Sequence, residues 1–159
     1  TKYTGLDKRA ADELLQEDMD RFVTEGRLSE EYRKLIFRGK IVNFLASDLA
    51  RRMSEATEKN MLFKEQPFIM AVSAGLLNEE FPEQEKVLIQ GIVDVYFEED
   101  DGLVIVDYKT DRVDDLQQLK ERYKTQLDYY EEAIGRLTGK PVKEKILYSF
   151  SLEDTISWK

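Results

Sequence analysis

Asp94, Asp107 and Lys109 are the residues of this chain whose types and spacing could do chemistry. From Val87 to Phe97, the alternate positions Val87, Ile89, Gly91, Val93, Val95 and Phe97 form one apolar strand face, and Leu88, Gln90, Ile92, Asp94 and Tyr96 form the other. Asp94 thus interrupts an otherwise apolar strand. In the next strand Leu103, Ile105, Asp107 and Lys109 share a face, alternating with Val104, Val106 and Tyr108. The acidic run Glu98-Glu99-Asp100-Asp101-Gly102 joins the two as a hairpin loop, so the two carboxylates can converge. Two close, partly desolvated carboxylates repel each other, and they relieve this by sharing a proton or binding a hard dication. Magnesium suits them, because it prefers oxygen ligands at about 2.0 to 2.1 Å and keeps several waters. A neighbouring lysine can polarise an attacking water or offset charge building on phosphate. Phosphodiester hydrolysis needs these parts. Taken alone, Asp107-x-Lys109 reads first as an ion pair along one strand face, with Asp94 an ordinary strand-end acid.

The composition narrows the chemistry further. There is no cysteine and no histidine in the 159 residues, which removes disulfides, thiolate zinc sites, iron-sulfur clusters and every Ser-His-Asp or Cys-His device. Carboxylates, lysine and tyrosine are left as acid-base groups, and any metal must sit on oxygen. No apolar run approaches the roughly 18 to 20 residues of a bilayer-spanning helix, and no signal peptide opens the chain, which reads as soluble and intracellular with no membrane partner. The net charge of -9 argues against unaided capture of nucleic acid. The charge is uneven, however: residues 1–108 carry 14 basic and 23 acidic side chains, and residues 109–145 carry 9 and 8. A locally basic strip on an acidic surface suits a module that receives its substrate from a larger machine.

The elements that must position these residues follow from pattern. Leu6, Ala10 and Leu14, with Ala11, Leu15 and Phe22, recur at helical spacing almost from a first residue that is not Met, as in an excised piece. Ser29 with Glu30 and Glu31 opens a second helix that Gly39 is expected to stop. A third helix carries Ile41, Phe44, Leu45, Leu49 and Met53. Strands are expected over Met61 to Val72, Lys86 to Phe97 and Leu103 to Lys109, with Pro67 marking the first as an edge or bulged strand. Ala74 to Glu85 reads as a solvated loop. Asp114 or Asp115 caps a long helix to about Leu137, with Leu116, Leu119, Tyr123, Leu127, Tyr130, Ile134 and Leu137 as its apolar seam. Gly139 and Pro141 end it, and Val142 to Phe150 is a last strand. The expected fold class is mixed α/β, a mixed sheet flanked by helices. Residues 1–58 are expected to form an N-terminal helical segment packed on a core of residues 59–159.

Gly91-Ile92-Val93-Asp94 followed by Val104-Ile105-Val106-Asp107-Tyr108-Lys109-Thr110 resembles the two-strand pattern of the PD-(D/E)XK nucleases, in particular the RecB-like branch with its G-x-x-D and D-Y-K. Gln126 and Tyr130, four residues apart on one helix face, are similar to that branch's Q-x-x-x-Y element. Lys64-Glu65-Gln66-Pro67-Phe68 is similar to the acid-x-Pro-Phe segment of AddA-type nuclease domains, where Glu65 reads either as a metal-shell acid or as an edge-strand charge. The resemblance covers roughly residues 60–150 and implies a restriction-endonuclease-like core. It implies that Asp94, Asp107 and the Tyr108 carbonyl hold Mg2+, with Mn2+ as substitute. Lys109 then acts on the water, and Gln126 and Tyr130 position phosphate or strand. Lys109, Arg112, Lys124, Gln126 and Tyr130 are the implied DNA contacts.

Implied partners are DNA, a helicase region of the same polypeptide and an AddB-type subunit, in a bacterial cytoplasmic helicase-nuclease of double-strand break repair and recombination. ATP belongs to that parent, since this chain has no Gly-rich phosphate loop and no G-K-[ST]. One departure stands out: the family also places a metal-ligating histidine on a helix before the sheet, and this chain has none. A piece without it is expected to bind metal weakly. The competing readings are a catalytically inactive nuclease-like interaction domain, a free-standing exonuclease of the superfamily and an acidic α/β interaction module.

Overall fold

Asp7, Ser29 and Ser47 each open a helix by accepting from a backbone N–H three residues on, that of Ala10 (2.8 Å), Tyr32 (3.1 Å) and Ala50 (3.2 Å). In the computed structural model, which describes residues 3, 6–76, 82 and 84–159, these caps start α1 (Lys8–Thr24), α2 (Glu30–Leu35) and α4 (Asp48–Glu58), and α3 spans Arg38–Leu45. Two expectations need correction. The second helix ends at Leu35, and Gly39 lies inside α3 instead of stopping a helix. The single helix expected from Ile41 to Met53 is two, because Ser47 turns its hydroxyl to cap α4 while Ala46 closes α3. Serine competes with the helix backbone in this way. α1 and α3 are joined by an Arg38–Asp12 ion pair at 3.1 Å and by Lys8 Nζ donating to Asn43 Oδ1 at 2.7 Å. These helices belong to one compact unit, Thr1–Met61, and the second unit is Leu62–Lys159.

The second unit is a five-stranded mixed sheet in the order β1-β2-β3-β4-β5. β1 (Leu62–Ser73), β2 (Lys86–Glu99) and β3 (Gly102–Lys109) pair antiparallel in sequence. Helix α5 (Leu116–Thr138) then crosses over to β4 (Val142–Ser149), which runs parallel to β3. A strand needs such a crossover to return beside its neighbour in the same direction. The strand expected as the last is followed by another, β5 (Asp154–Trp158), which pairs antiparallel with β4. Pro67 does sit on an edge strand, where a sheet tolerates a residue without an N–H. Of the stretch expected as a loop, Ala74–Leu76 is a 3-10 turn; residues 77–81 and 83 lie outside the described ones.

Asp115 caps α5 through the Gln118 N–H at 2.8 Å, and Gly139 ends it at φ 70 with its N–H on the Gly135 carbonyl at 2.9 Å. That left-handed turn favours glycine. Between these stops Leu119, Leu127, Tyr130 and Ile134 are buried against Tyr96, Leu103, Ile105 and Leu147 of the sheet. Leu137, expected in the same seam, is 58% exposed in the last turn. The fold class is therefore mixed α/β, and α5 overlies the ends of the strands that carry the acids.

Candidate active site

Asp94 and Asp107 face each other across two strands. The β2–β3 ladder is regular from Glu99↔Gly102 to Val95↔Val106, and the next step along the same register sets Asp94 opposite Asp107. The ladder opens there, and Asp94 Oδ2 accepts the backbone N–H of Tyr108 at 3.0 Å. One strand further out, Lys64↔Val95 and Gln66↔Val93 bracket Glu65, which has no ladder partner and a left-handed φ of 51. By register Glu65, Asp94 and Asp107 thus form one row across β1, β2 and β3.

The same point reverses the side-chain alternation, which the sequence pattern does not foretell. Phe63 stacks on Tyr96, a member of the core under α5, with centroids 4.7 Å apart. Phe68, five residues on, also meets α5, edge to face with Tyr130 at 5.7 Å. In an unbroken strand these two rings would point to opposite faces. In β2, likewise, Ile89 and Tyr96 both pack toward α5. The single apolar face expected from Val87 to Phe97 is therefore two half-faces that exchange at the acids.

Lys109 reaches back along β3, its Nζ 2.7 Å from Asp107 Oδ2, with the two side chains only 13% and 3% exposed. The contact pairs the charges, yet Oδ2 has no aligned hydrogen-bond donor. The same ammonium donates to Gln126 Oε1 at 3.1 Å and stands 4.0 Å from the ring centroid of Tyr123. Gln126 in turn donates from Nε2 to the Tyr130 hydroxyl at 2.5 Å. Burial pushes the Asp107 carboxyl above the usual carboxylate range; the Lys109 contact opposes this and the Asp94 charge adds to it. Burial likewise raises the Tyr130 hydroxyl, with the charges of Asp107 and Asp94 adding to the shift. Tyr108 is raised by burial and then by Asp94.

The donor set fits a hard dication: two facing carboxylates, one with a buried oxygen that lacks an aligned donor, in a chain without thiol or imidazole. Among the described residues no three acids gather into a metal-holding group, and Glu65 is exposed. Of the expected DNA contacts, Lys109, Gln126 and Tyr130 are brought together, whereas Arg112 and Lys124 are exposed and Lys124 pairs with Asp128 at 2.5 Å. Sequence reasoning took Tyr123 for a seam residue only. The signal was a tyrosine, in place of leucine, three residues before Gln126. It also passed over Lys145, which is 4% exposed and held between Asp128 (2.9 Å) and Glu131 of α5.

Comparison with known proteins shows the family. Residues 2–155 match the PD-(D/E)XK nuclease superfamily, and the chain belongs to it. At 40% identity over 159 residues, it is similar to the A subunit of the ATP-dependent helicase/nuclease of Clostridium botulinum (strain Langeland), covering 98% of this chain and 12% of that one. The corresponding protein of Clostridium kluyveri is also 40% identical, over 154 residues, 94% of this chain and 12% of the relative. The chain thus spans about an eighth of the length of the curated relatives it matches. The crystal structure of SSO0001 aligns with a TM-score of 0.41 at 15% identity, over 89% of this chain and 60% of that one.

Proposed function

We propose that this chain is the metal-dependent DNA nuclease domain of an AddA-type helicase-nuclease that acts in double-strand break repair and recombination. The observation that carries the reading is the convergence of Asp94, Asp107 and Lys109 at the open end of the β2–β3 ladder. Asp94, Asp107 and the Tyr108 carbonyl would hold Mg2+, or Mn2+ in its place, with Glu65 as a further acid of its shell. Such an ion, when bound, would supply Lewis acidity toward the scissile phosphate and a water of lowered pKa. The chain's own residues do the rest. Lys109 orients the attacking water and offsets charge on the phosphate, Gln126 fixes the ammonium, and Tyr130 fixes Gln126. Burial of Asp107 excludes bulk water from one side of the reaction. Arg112 and Lys124 would reach the DNA backbone, for which phosphate contact needs little more than an exposed cation.

On this reading the partners are DNA, a helicase region of the same polypeptide and an AddB-type subunit, and the setting is the bacterial cytoplasm. No helix among the described residues is long and apolar enough to cross a membrane. The test is Mg2+- or Mn2+-dependent cleavage of linear DNA by the longer protein, wild type against Asp107→Ala and Lys109→Ala. Cutting undiminished in either variant ends the proposal. A second reading, a nuclease-like fold that binds within a repair complex without cutting, is favoured by the site itself, where no third acid joins Asp94 and Asp107 among the described residues. A wild-type protein that binds DNA and cleaves with neither ion would establish it.

A further inference from the structure

Among the described residues the Lys109 ammonium has three neighbours, and the reaction as proposed employs only two of them. Asp107 Oδ2 draws it at 2.7 Å and Gln126 Oε1 accepts from it at 3.1 Å. The third is the face of Tyr123, whose ring centroid is 4.0 Å from Nζ, well inside the range where an aromatic quadrupole attracts a cation. The ring is itself pinned. Its hydroxyl donates to Asp111 Oδ1 at 2.9 Å, and Asp111 also receives Arg122 at 3.1 Å. Asp111 lies two residues beyond Lys109 and Arg122 directly precedes Tyr123, so the tether closes a loop between the end of β3 and the first turns of α5.

A leucine would fill the seam position as its neighbours Leu119 and Leu127 do. Tyrosine adds two things that packing does not require, a π face turned to the ammonium and a hydroxyl that an acid holds. We infer that Tyr123 is a positioning residue for Lys109, with Asp111 as the anchor that keeps the ring under the ammonium. The benefit is specific to an incoming phosphate. An anionic oxygen competes with Asp107 and Gln126 for the same N–H donors, but it does not compete for a π face. The ring therefore keeps hold of a flexible side chain at the moment its other partners are exchanged. This inference rests on the nuclease reading for its kinetic consequence, but not for its geometry.

The geometry is read on this chain by 1H–13C correlation spectra of 13C-lysine-labelled protein, with the Lys109 signal identified by its loss in Lys109→Arg. Ring current should displace the Lys109 Hε resonances upfield of the lysines that face no ring, Lys120 beside the Trp158 ring being set apart by its own loss in Lys120→Arg. Tyr123→Leu should abolish the displacement, while Tyr123→Phe and Asp111→Ala should reduce it by loosening the ring. Should Tyr123→Leu fail to fold, the other two variants decide. A Lys109 signal among the ordinary lysines, or one indifferent to all three substitutions, overturns the inference. In the longer DNA-cutting protein, Tyr123→Leu should lower kcat about tenfold, the scale of one partly desolvated cation–π contact, with KM for DNA unchanged and most of kcat restored in Tyr123→Phe. A rise in KM with kcat unchanged would make Tyr123 a DNA contact and overturn the positioning role. A wild-type protein that never cuts removes the nuclease reading, and the spectra still decide the contact.

Discussion

Asp94 of β2 takes its orientation from Tyr108 of β3, whose backbone N–H donates to Asp94 Oδ2 at 3.0 Å. The acid thereby replaces a ladder bond where the two strands part, and it is aimed by backbone, a more rigid support than another side chain. Its role in the fold and its proposed role in chemistry are separable. Asp94→Asn keeps an acceptor for the Tyr108 N–H, whereas Asp94→Ala leaves that donor unmet. Chemical denaturation should find the Asn variant near wild type and the Ala variant about 1 kcal/mol less stable. DNA cleavage should be lost in both.

Asp107 should weaken the metal-free fold. Burial, first of all, raises its carboxyl above the usual range. The folded chain then binds more protons than the unfolded one just above the ordinary carboxylate value, so stability falls as pH rises through that window. Asp107→Asn should therefore be about 1 kcal/mol more stable than wild type at neutral pH, as is common when a strained functional group is removed. The difference should close on acidification below about pH 4, where both states of the wild type are protonated. Thermal melts across pH without divalent ions test this. A stability gain that persists at low pH would point to packing and not to charge.

Gly91 is the glycine of the G-x-x-D pattern, and the structure gives it a steric reason. A β-carbon there would stand 2.8 Å from the Phe68 ring, which meets Tyr130 edge to face. Three segments singled out in the sequence, around Phe68, Gly91 and Tyr130, thus meet in one contact. Gly91→Ala should cost about 1 to 3 kcal/mol, because an aromatic ring against a helix cannot yield by several tenths of an ångström without moving its neighbours. Phe68→Leu in the same chain should recover part of the loss. Additive losses in the double variant would refute the clash.

The sheet, its long crossover helix and the facing acids were legible because each rests on local pattern: alternation in β3, the hairpin acids, and Asp115 and Gly139 bounding α5. What escaped the sequence was set by tertiary contact. The alternation of β2 reads as one face because nothing in Val93-Asp94-Val95 shows that the strand exchanges sides. Glu65 in a left-handed conformation gives no composition signal either, since glycine or asparagine would be the usual residue there. The break at Ser47 was hidden by apolar spacing that continues across it. Tyr123 was hidden by its heptad position, where an aromatic satisfies the seam and a cation at once.

Lys145 tests how the helix beside the site is held. It is 4% exposed on β4, between Asp128 and Glu131 of α5, the first of which lies two residues from Gln126 and from Tyr130. Burial alone would lower its pKa, but hydrogen bonds from its ammonium to Glu131 and Asp128 outweigh this and raise it. The ion cluster therefore stabilises the fold below the ordinary lysine range, and the benefit is lost as pH climbs through the raised folded value. Lys145→Ala removes both charge and stem. Because its partners are partly solvated, the loss at pH 7 should be about 2 kcal/mol. Lys145→Met keeps the stem and should lie within about 1 kcal/mol of wild type. Once pH climbs past the ordinary lysine range and the ammonium begins to lose its proton, wild type should fall toward or below the Met variant. Equal losses for Ala and Met at neutral pH would instead assign the stability to the charges, and in that case α5 and its Gln126–Tyr130 pair would be held to the sheet by electrostatics more than by packing.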